Sequence, residues 1–240
     1  MNSAVSERRR IVALLLLLPV FCLSAFSQVG ERRSDFSLGV NGGVNLAKMD
    51  FSPTIKQNYL TTPVFGLSAR YVCEKYFSTI CAVQVELNYT QAGWDEKIID
   101  GSGNTYKRTL DYVQLPMLMQ LGWGKEQRGM KFIFTAGPVL QYLIGNTEKK
   151  GGGVWNPDNR PNNVVYQYSN KPDFNIDYGI MAGAGVELST SIGHFLLEGR
   201  YYFGLGDIYD NSKKGYFERS ANQVITGKLT YLFDMNKKKQ

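Results

Sequence analysis

The feature that most constrains this chain is an alternation of apolar and polar side chains that recurs from residue 36 to residue 235. In the clearest stretch, residues 81–92, Val83 and Val85 alternate with hydrogen-bonding side chains such as Gln84. A period of two places each class on its own face of a β-strand, whereas an amphipathic helix needs a period of 3.6 residues. The pattern therefore predicts an all-β protein and disfavours a helical bundle.

Eight alternating blocks are separated by clusters of Gly, Asn, Asp and Lys, which are typical of turns and loops. The blocks cover residues 36–47, 63–73, 80–94, 107–123, 131–145, 177–190, 194–208 and 222–235. The connections between them alternate in length, and the short ones are residues 74–79, 124–130 and 191–193. Transmembrane barrels of bacteria have short turns at the periplasmic rim, longer loops at the outer rim and an even number of strands. We therefore expect an eight-stranded antiparallel up-and-down transmembrane β-barrel.

The N-terminal segment has the layout of an export signal. Three arginines at residues 8–10 precede an apolar run over residues 11–26, and small residues surround Ser27. The run is shorter than the roughly 20 residues that a membrane-spanning helix needs. We expect residues 1–27 to be a signal peptide and residues 28–240 to form the barrel domain. After residue 27 no apolar run approaches about 18 residues, so only strands could cross a membrane, and the predicted location is the cell outer membrane.

The two faces of the predicted strands differ in chemistry. One face carries bulky apolar side chains that would contact lipid, and the other carries small, hydrogen-bonding and a few charged side chains. Eight strands enclose an interior just wide enough to be filled by side chains. Charges there should pair, since an unpaired buried ion costs several kcal/mol. The predicted interior charge network consists of Arg70, Glu86, Glu187, Glu198, Arg200 and Lys228.

A soluble eight-stranded carrier barrel has the same period, with its apolar side chains turned inward. Alternation alone does not distinguish the soluble barrel from the membrane barrel. The Gly-rich and charge-bearing second face, the asymmetry of loop length and the export signal favour the membrane barrel.

Four strings occur in an order and spacing that resemble the PorT-like outer-membrane β-barrel family of Bacteroidota. They are YVQLPMLMQL at 112–121, FIFTAGP at 132–138, DYGIMAGAGVEL at 177–188 and LEGRYYFGLGDI at 197–208. The resemblance spans essentially the whole chain after residue 27 and implies an eight-stranded barrel. One namesake of the family serves protein secretion, but we do not transfer that role.

Little in the sequence suggests chemistry. The chain has one histidine and three cysteines, and its Gly clusters lack the strand, Lys-Ser/Thr pair or helix that a phosphate cradle requires. His194 is the one candidate for a hydrolytic dyad, but it lies beside the 191–193 turn, at the periplasmic rim, where catalysis on outer-leaflet lipid is not expected. We predict no catalytic, cofactor or metal site, and the charge balance suggests no nucleic-acid partner.

Two local features of the strands give further expectations. Cys73 and Cys81 flank the 74–79 turn and would lie opposite one another if the hairpin is centred near Phe77, which would allow a disulfide. Pro116 and Pro138 lie inside predicted strands, where the missing N–H donor predicts bulges.

The longest connection, residues 146–176, carries aromatic and basic side chains among Asn, Pro and Gly. Long loops are usually functional or mobile, and exposed aromatic side chains are good contact residues. The candidates for contact with a protein, a glycan or lipopolysaccharide are Lys149, Lys150, Trp155, Arg160, Tyr166 and Tyr168.

The sequence thus favours a non-enzymatic outer-membrane protein with a packed polar interior, in contact with outer-membrane lipid and acting through its long outer loops. The alternatives are an enzyme that modifies membrane lipid, a small-solute, porin-like channel and an accessory of protein secretion. A solvated outer loop without a defined role is also consistent with the sequence.

Overall fold

The computed structural model describes residues 35–76, 79–124, 129–157, 160, 164–168, 170–211 and 215–235. The predicted signal peptide, residues 1–27, lies outside the described residues.

The described chain consists almost entirely of β-strands. Their bounds are β1 Asp35–Ser52, β2 Gln57–Asn58, β3 Leu60–Tyr76, β4 Thr79–Glu96, β5 Thr105–Gly124, β6 Gly129–Gly151, β7 Ile176–Ser189, β8 His194–Gly204 and β9 Arg219–Asp234. One short turn of 3-10 helix covers Tyr166–Tyr168. Within this part of the chain, no helix has the length and apolar character needed to cross a membrane.

Eight of these strands close into a ring. Sequential neighbours pair antiparallel from β3 to β9, β1 pairs with both β3 and β9, and the β4–β5 pairing completes the circle. The two-residue strand β2 pairs only with the last residues of β4, through the pairs Gln57–Glu96 and Asn58–Asp95. The prediction of an eight-stranded antiparallel up-and-down barrel is therefore confirmed.

The side chains alternate across the barrel wall. Leu67 is 61% exposed and Phe132 is 70% exposed on the outside, whereas Ser68 and Arg70 are buried inside. The apolar set thus faces outward and the hydrophilic set fills the centre, which is the arrangement predicted for a membrane barrel and the reverse of a soluble carrier.

The outward apolar surface has the height of a membrane core. On β1 it runs from Phe36 to Leu46, and Lys48 and Asp50 follow on the same face. A spanning strand needs about 9–11 residues. Since β1 continues to Ser52 and β6 to Gly151, the strands project beyond the apolar band at the rim that carries the long connections. We call this the outer rim, and the opposite one the periplasmic rim.

The predicted bulges at the two prolines are wrong. Pro116 lies opposite Val139 and Met119 lies opposite Ala136, so the ladder is interrupted between these pairs without any change of register. The β5–β6 register shifts instead between Asp111 and Tyr112.

The two cysteines do not lie directly opposite one another, as the hairpin prediction required, and a disulfide between them stays a prediction. The β3–β4 register shifts between Val72 and Glu74, so the residue opposite Cys81 is Glu74 and not Cys73. A single extra residue in one strand was enough to remove the direct opposition on which the disulfide prediction rested.

A charge placed on the outward face tests its contact with lipid. Leu67→Arg should lower the free energy of unfolding by about 2–4 kcal/mol, because the substituted position lies in the middle of the apolar band. The measurement is denaturant unfolding of the protein folded into lipid vesicles. Thr61→Arg, on the same strand and face but at the outer end, is the matched control and should cost about 0–1 kcal/mol. Equal, small losses for both variants would contradict the lipid contact.

Candidate functional site

Four of the charged side chains predicted for the interior form one cluster in the middle of the barrel. The Arg200 guanidinium donates to both carboxylate oxygens of Glu86 at 3.0 Å and to Glu198 Oε2 at 2.7 Å. The Lys228 ammonium donates to Glu86. Two acids thus face two bases, so the cluster carries no net charge.

The polar neighbours of Glu86 complete its hydrogen bonding. Gln84 Nε2 donates to Glu86 Oε1 at 2.7 Å, and Asn88 Nδ2 donates to Glu86 Oε2 at 2.9 Å. Since Gln84, Glu86 and Asn88 alternate along β4, one strand face supplies the acid together with two of its donors. A buried ion pair is stable only when its remaining hydrogen-bonding capacity is filled in this way.

Glycines on β7 make room for the cluster. Gly183 lies opposite Arg200 and Gly185 lies opposite Glu198 on the adjacent strand. A Cβ atom at Gly183 would stand 2.6 Å from Arg200 Cγ, and one at Gly185 would stand 3.0 Å from Glu198 Cγ. The long side chains of β8 can therefore lie across β7 only because these two positions carry no side chain.

A second cluster, which we call the rim cluster, lies near the periplasmic rim and consists of Arg70, Lys131, Glu187, His194 and Asp234. Glu187 accepts from Arg70 at 2.8 Å and lies 3.3 Å from Lys131 Nζ. His194 bridges two carboxylates, with Nδ1 at 2.7 Å from Glu187 and Nε2 at 3.2 Å from Asp234. Lys131 was not among the charged residues predicted for the interior, although its position next to the outward residue Phe132 places it on the inner face.

His194 also lies 2.9 Å from the hydroxyl oxygen of Ser189, which is the contact a hydrolytic dyad would use. Ser189, however, is buried and donates its own proton to Glu187 at 3.1 Å. The imidazole is thus surrounded by carboxylates that it can bridge, and the hydroxyl already has an acceptor.

The lumen leaves little space between these groups. A cavity of about 30 Å³ is lined by the rim cluster and its neighbours, and another of about 20 Å³ is lined by residues such as Asn45, Gln114 and Tyr202. The two cavities share no lining residue. Since a single water needs roughly 10–15 Å³, the first cavity can hold two or three waters and the second one or two.

The outer half of the barrel contains an aromatic core. Phe51 of β1 packs on Trp94 of β4 and on Phe217, with ring centroids 5.0 and 4.9 Å apart. Tyr106 of β5 packs edge-on against Tyr168 at 4.8 Å. Phe217 and Tyr168 belong to the long connections β8–β9 and β6–β7. The described residues of these two connections, which we call the outer cap, therefore fold inward over the mouth of the barrel.

Arg160 fixes the outer cap to the barrel. Its guanidinium lies 4.9 Å from the Trp155 ring and 5.6 Å from the Tyr168 ring, and it pairs with Asp100 in the β4–β5 connection. Tyr168 in turn donates its hydroxyl to Glu96 Oε1 at 2.6 Å. Cation–π contacts of this kind contribute more when they are shielded from water, as Arg160 is.

Arg108 provides a second attachment. It is fully buried, pairs with Glu148 on β6 and donates to the backbone oxygen of Asn170 in the outer cap at 2.7 Å. Arg108 was not predicted as an interior charge either, although it shares the inner face of β5 with Tyr106 and Leu110.

The structure assigns different positions to the six predicted loop contacts. Arg160 and Tyr168 are buried, so the expectation that they are exposed is wrong. Trp155 and Tyr166 are partly buried against the aromatic core. Lys150 donates to the backbone oxygen of Tyr168 at 3.0 Å, and Lys149 is exposed. The aromatic side chains point inward because burial of their large apolar area outweighs any gain from exposure.

Comparison with known proteins agrees with this architecture. A family model described as "Outer membrane protein beta-barrel domain" matches residues 26–210. No curated protein matches the sequence.

Several solved structures resemble the chain at low sequence identity. Neisserial surface protein A (NspA) has a TM-score of 0.42 and 11% identity, with 81% of this chain and 96% of that chain covered. Ail, the attachment invasion locus protein of Yersinia pestis, solved with the heparin analogue sucrose octasulfate, has a TM-score of 0.35 and 10% identity, with 83% and 99% covered. The outer membrane protease OmpT of Escherichia coli has a TM-score of 0.22 and 10% identity, with 88% and 100% covered.

Removal of one partner should destabilise the central cluster strongly. Glu86→Ala leaves Arg200 and Lys228 without their shared carboxylate and should lower the free energy of unfolding by about 3–5 kcal/mol. The double variant Glu86→Gln with Lys228→Met removes one charge of each sign and should cost clearly less. Denaturant unfolding in lipid vesicles measures both. A single variant as stable as the double variant would contradict the pairing.

The outer cap should respond to pH through Glu96 and Asp100. Burial raises the pKa of Glu96 above its ordinary value of 4.5, and hydrogen bonds from Tyr168 and Gln167 oppose this only in part. Hydrogen bonds from Ser102, together with Arg160, hold the pKa of Asp100 below its ordinary value of 3.8. The stabilisation from neutral Glu96 is complete below about pH 4.5 and is lost as pH rises through the raised pKa. The stabilisation from ionised Asp100 is present above about pH 3.8 and is lost as pH falls through its lowered pKa.

We therefore expect hydrogen-exchange protection factors of residues 164–168, corrected for intrinsic rates, to fall as pH rises from about 4.5 through the raised pKa of Glu96. Glu96→Gln should flatten this dependence, because the amide keeps a hydrogen-bonding oxygen without a titrating proton. Glu218→Gln, at an exposed carboxylate, is the matched control and should behave as the unmodified chain. The same slope in Glu96→Gln and in the unmodified chain would rule out Glu96 as its source.

Proposed function

Since this chain belongs to the outer membrane protein β-barrel domain family, we propose that it is a non-enzymatic barrel with a structural or interaction role at its outer surface. Its location is the cell outer membrane. The proposal goes beyond family and location, since it concerns which part of the barrel acts.

The observation that carries the proposal is the filling of the barrel at both levels. The central cluster occupies the middle of the lumen, and the outer cap packs into the aromatic core at the mouth. A solute would have to displace paired buried charges and a tightly packed core, both of which are costly. We infer that the barrel serves as a platform and not as a channel.

The outer surface offers groups for contact with partners. Ile99 is 58% exposed and Val154 is 91% exposed, and the connections that carry them are joined through Asp100 and Arg160. Exposed apolar side chains held on an ordered support are suited to binding another macromolecule. We propose a protein or glycan as the partner of this surface.

Lipid is the second partner that we propose. Lys48 lies just above the apolar band of β1, with its ammonium 3.9 Å from the Tyr59 ring. A cation held at this height can pair with the phosphates of outer-leaflet lipid, including lipopolysaccharide.

Within the family, we propose that this chain is PorT-like, because four strings follow one another in the sequence in the order and spacing of that group. The two longest strings are DYGIMAGAGVEL and LEGRYYFGLGDI. The first string lies within β7, whose Gly183 and Gly185 make room for the central cluster, and the second covers most of β8 and the start of the β8–β9 connection. No secretion role follows from this assignment.

Photo-crosslinking in living cells tests the role of the outer surface. A photoreactive residue at Val154 should yield reproducible adducts with a surface protein or glycan. The same residue at Ile192, which is 65% exposed in the β7–β8 turn at the periplasmic rim, is the control and should not yield them. In planar bilayers the purified barrel should show no steady single-channel conductance. Steady conductance, or adducts at Ile192 but none at Val154, would contradict the proposal.

A further inference from the structure

The outer end of β6 pairs on one side only. β5 accompanies β6 out to the pair Thr105–Gly151, whereas β7 leaves it at the pair Tyr142–Ile176. Beyond that point the backbone N–H of Leu143 donates to the Asn175 oxygen at 2.7 Å. Among the described residues, no further backbone hydrogen bond reaches residues 144–151 from the side away from β5. This segment, which we call the β6 edge, is thus a strand edge of eight residues.

The opposite edge of the same projecting sheet is covered. There β4 is capped by β2 through the pairs Gln57–Glu96 and Asn58–Asp95, and the Lys97 N–H donates to the Lys56 oxygen at 2.8 Å. Within the described residues, the projecting sheet therefore has one covered edge and one edge without a backbone partner. An unpaired strand edge is a template for the addition of another strand.

The β6 edge is held ready for such an addition. Its first residue, Ile144, is the last outward apolar residue of β6, and residues 145–151 project beyond the apolar band. Glu148 pairs with the buried Arg108 and Lys150 binds the Tyr168 oxygen, which attaches the inner face of the segment to the barrel. Because the strand is already ordered, a partner would lose only its own conformational freedom.

Charge narrows the class of partner. Lys149 is exposed and lies opposite Lys107 of β5, which is itself paired with Asp95 at 2.7 Å. The one acid of the edge, Glu148, is neutralised by Arg108 and Lys150, so Lys149 is left as the charge that a partner can meet. Two barrels in one membrane point the same way, so their β6 edges would meet parallel and with lysine against lysine. A second copy is therefore disfavoured, and an acidic strand from outside the cell fits better.

We propose that the β6 edge binds an extended acidic peptide segment of an extracellular partner by adding it to the sheet as a further strand. Main-chain hydrogen bonds would supply the attachment, and glutamate or aspartate side chains at alternate positions would pair with Lys149. This inference rests on the proposed interaction role and specifies where and by what chemistry it occurs.

A synthetic peptide tests it on the full chain folded in lipid nanodiscs. The probe is a blocked eight-residue peptide of alternating glutamate and threonine, labelled for fluorescence polarisation. It should bind, and the amides of residues 145–151 should gain protection from hydrogen exchange. Lys149→Glu should weaken binding at least tenfold. Lys97→Glu, at an exposed lysine beside the covered edge, is the matched control and should leave binding unchanged.

The same peptide with every backbone nitrogen methylated keeps its charges but has no backbone N–H donors, and it should not bind. Equal binding by the methylated peptide, absence of binding at millimolar concentration, or protection confined to other residues would overturn strand addition. If Val154 still yields surface adducts in any of these cases, the proposed interaction role stands and this inference alone is lost.

Discussion

The structure depends on the closure of the ring of strands. In hydrocarbon every backbone N–H and C=O must find a partner within the protein, so an open sheet edge is not tolerated there. The pairing of β1 with β9 and of β4 with β5 removes both edges along the apolar band. Only beyond the band, where water can solvate the backbone, does the β6 edge lose its neighbour on one side.

Closure with eight strands in turn determines what the interior can be. A ring of this size leaves room for side chains but not for an open channel. The interior side chains must therefore fill this space without clashing, and Gly183 and Gly185 provide the room that Arg200 and Glu198 require. The balance of charge in the central cluster follows from the same confinement, because an unpaired ion there would lose its hydration without gaining a partner of opposite charge.

The outer cap shows where reasoning from sequence ends. Trp155, Arg160 and Tyr168 were predicted to be contact residues because they occur in a long connection, and a linear pattern does not state which way a loop folds. In the structure they meet Tyr106, Asp100 and Glu96, which lie 49, 60 and 72 residues earlier in the chain. The same limit explains the cysteines, since a single register shift next to Cys73 is invisible in the alternation.

The sequence by itself determined the eight strands of the barrel, their antiparallel order and the face of the side chains away from the register shifts, because a period of two acts between neighbouring residues and is independent of distant contacts. It even placed Arg70, Glu86, Glu187, Glu198, Arg200 and Lys228 on the inner face. Only the tertiary structure decided that Arg200 bridges Glu86 and Glu198 while Arg70 joins Glu187 nearer the rim, and that the outer connections close the mouth. Those choices depend on shear between strands and on contacts over long sequence separations, which no local pattern encodes.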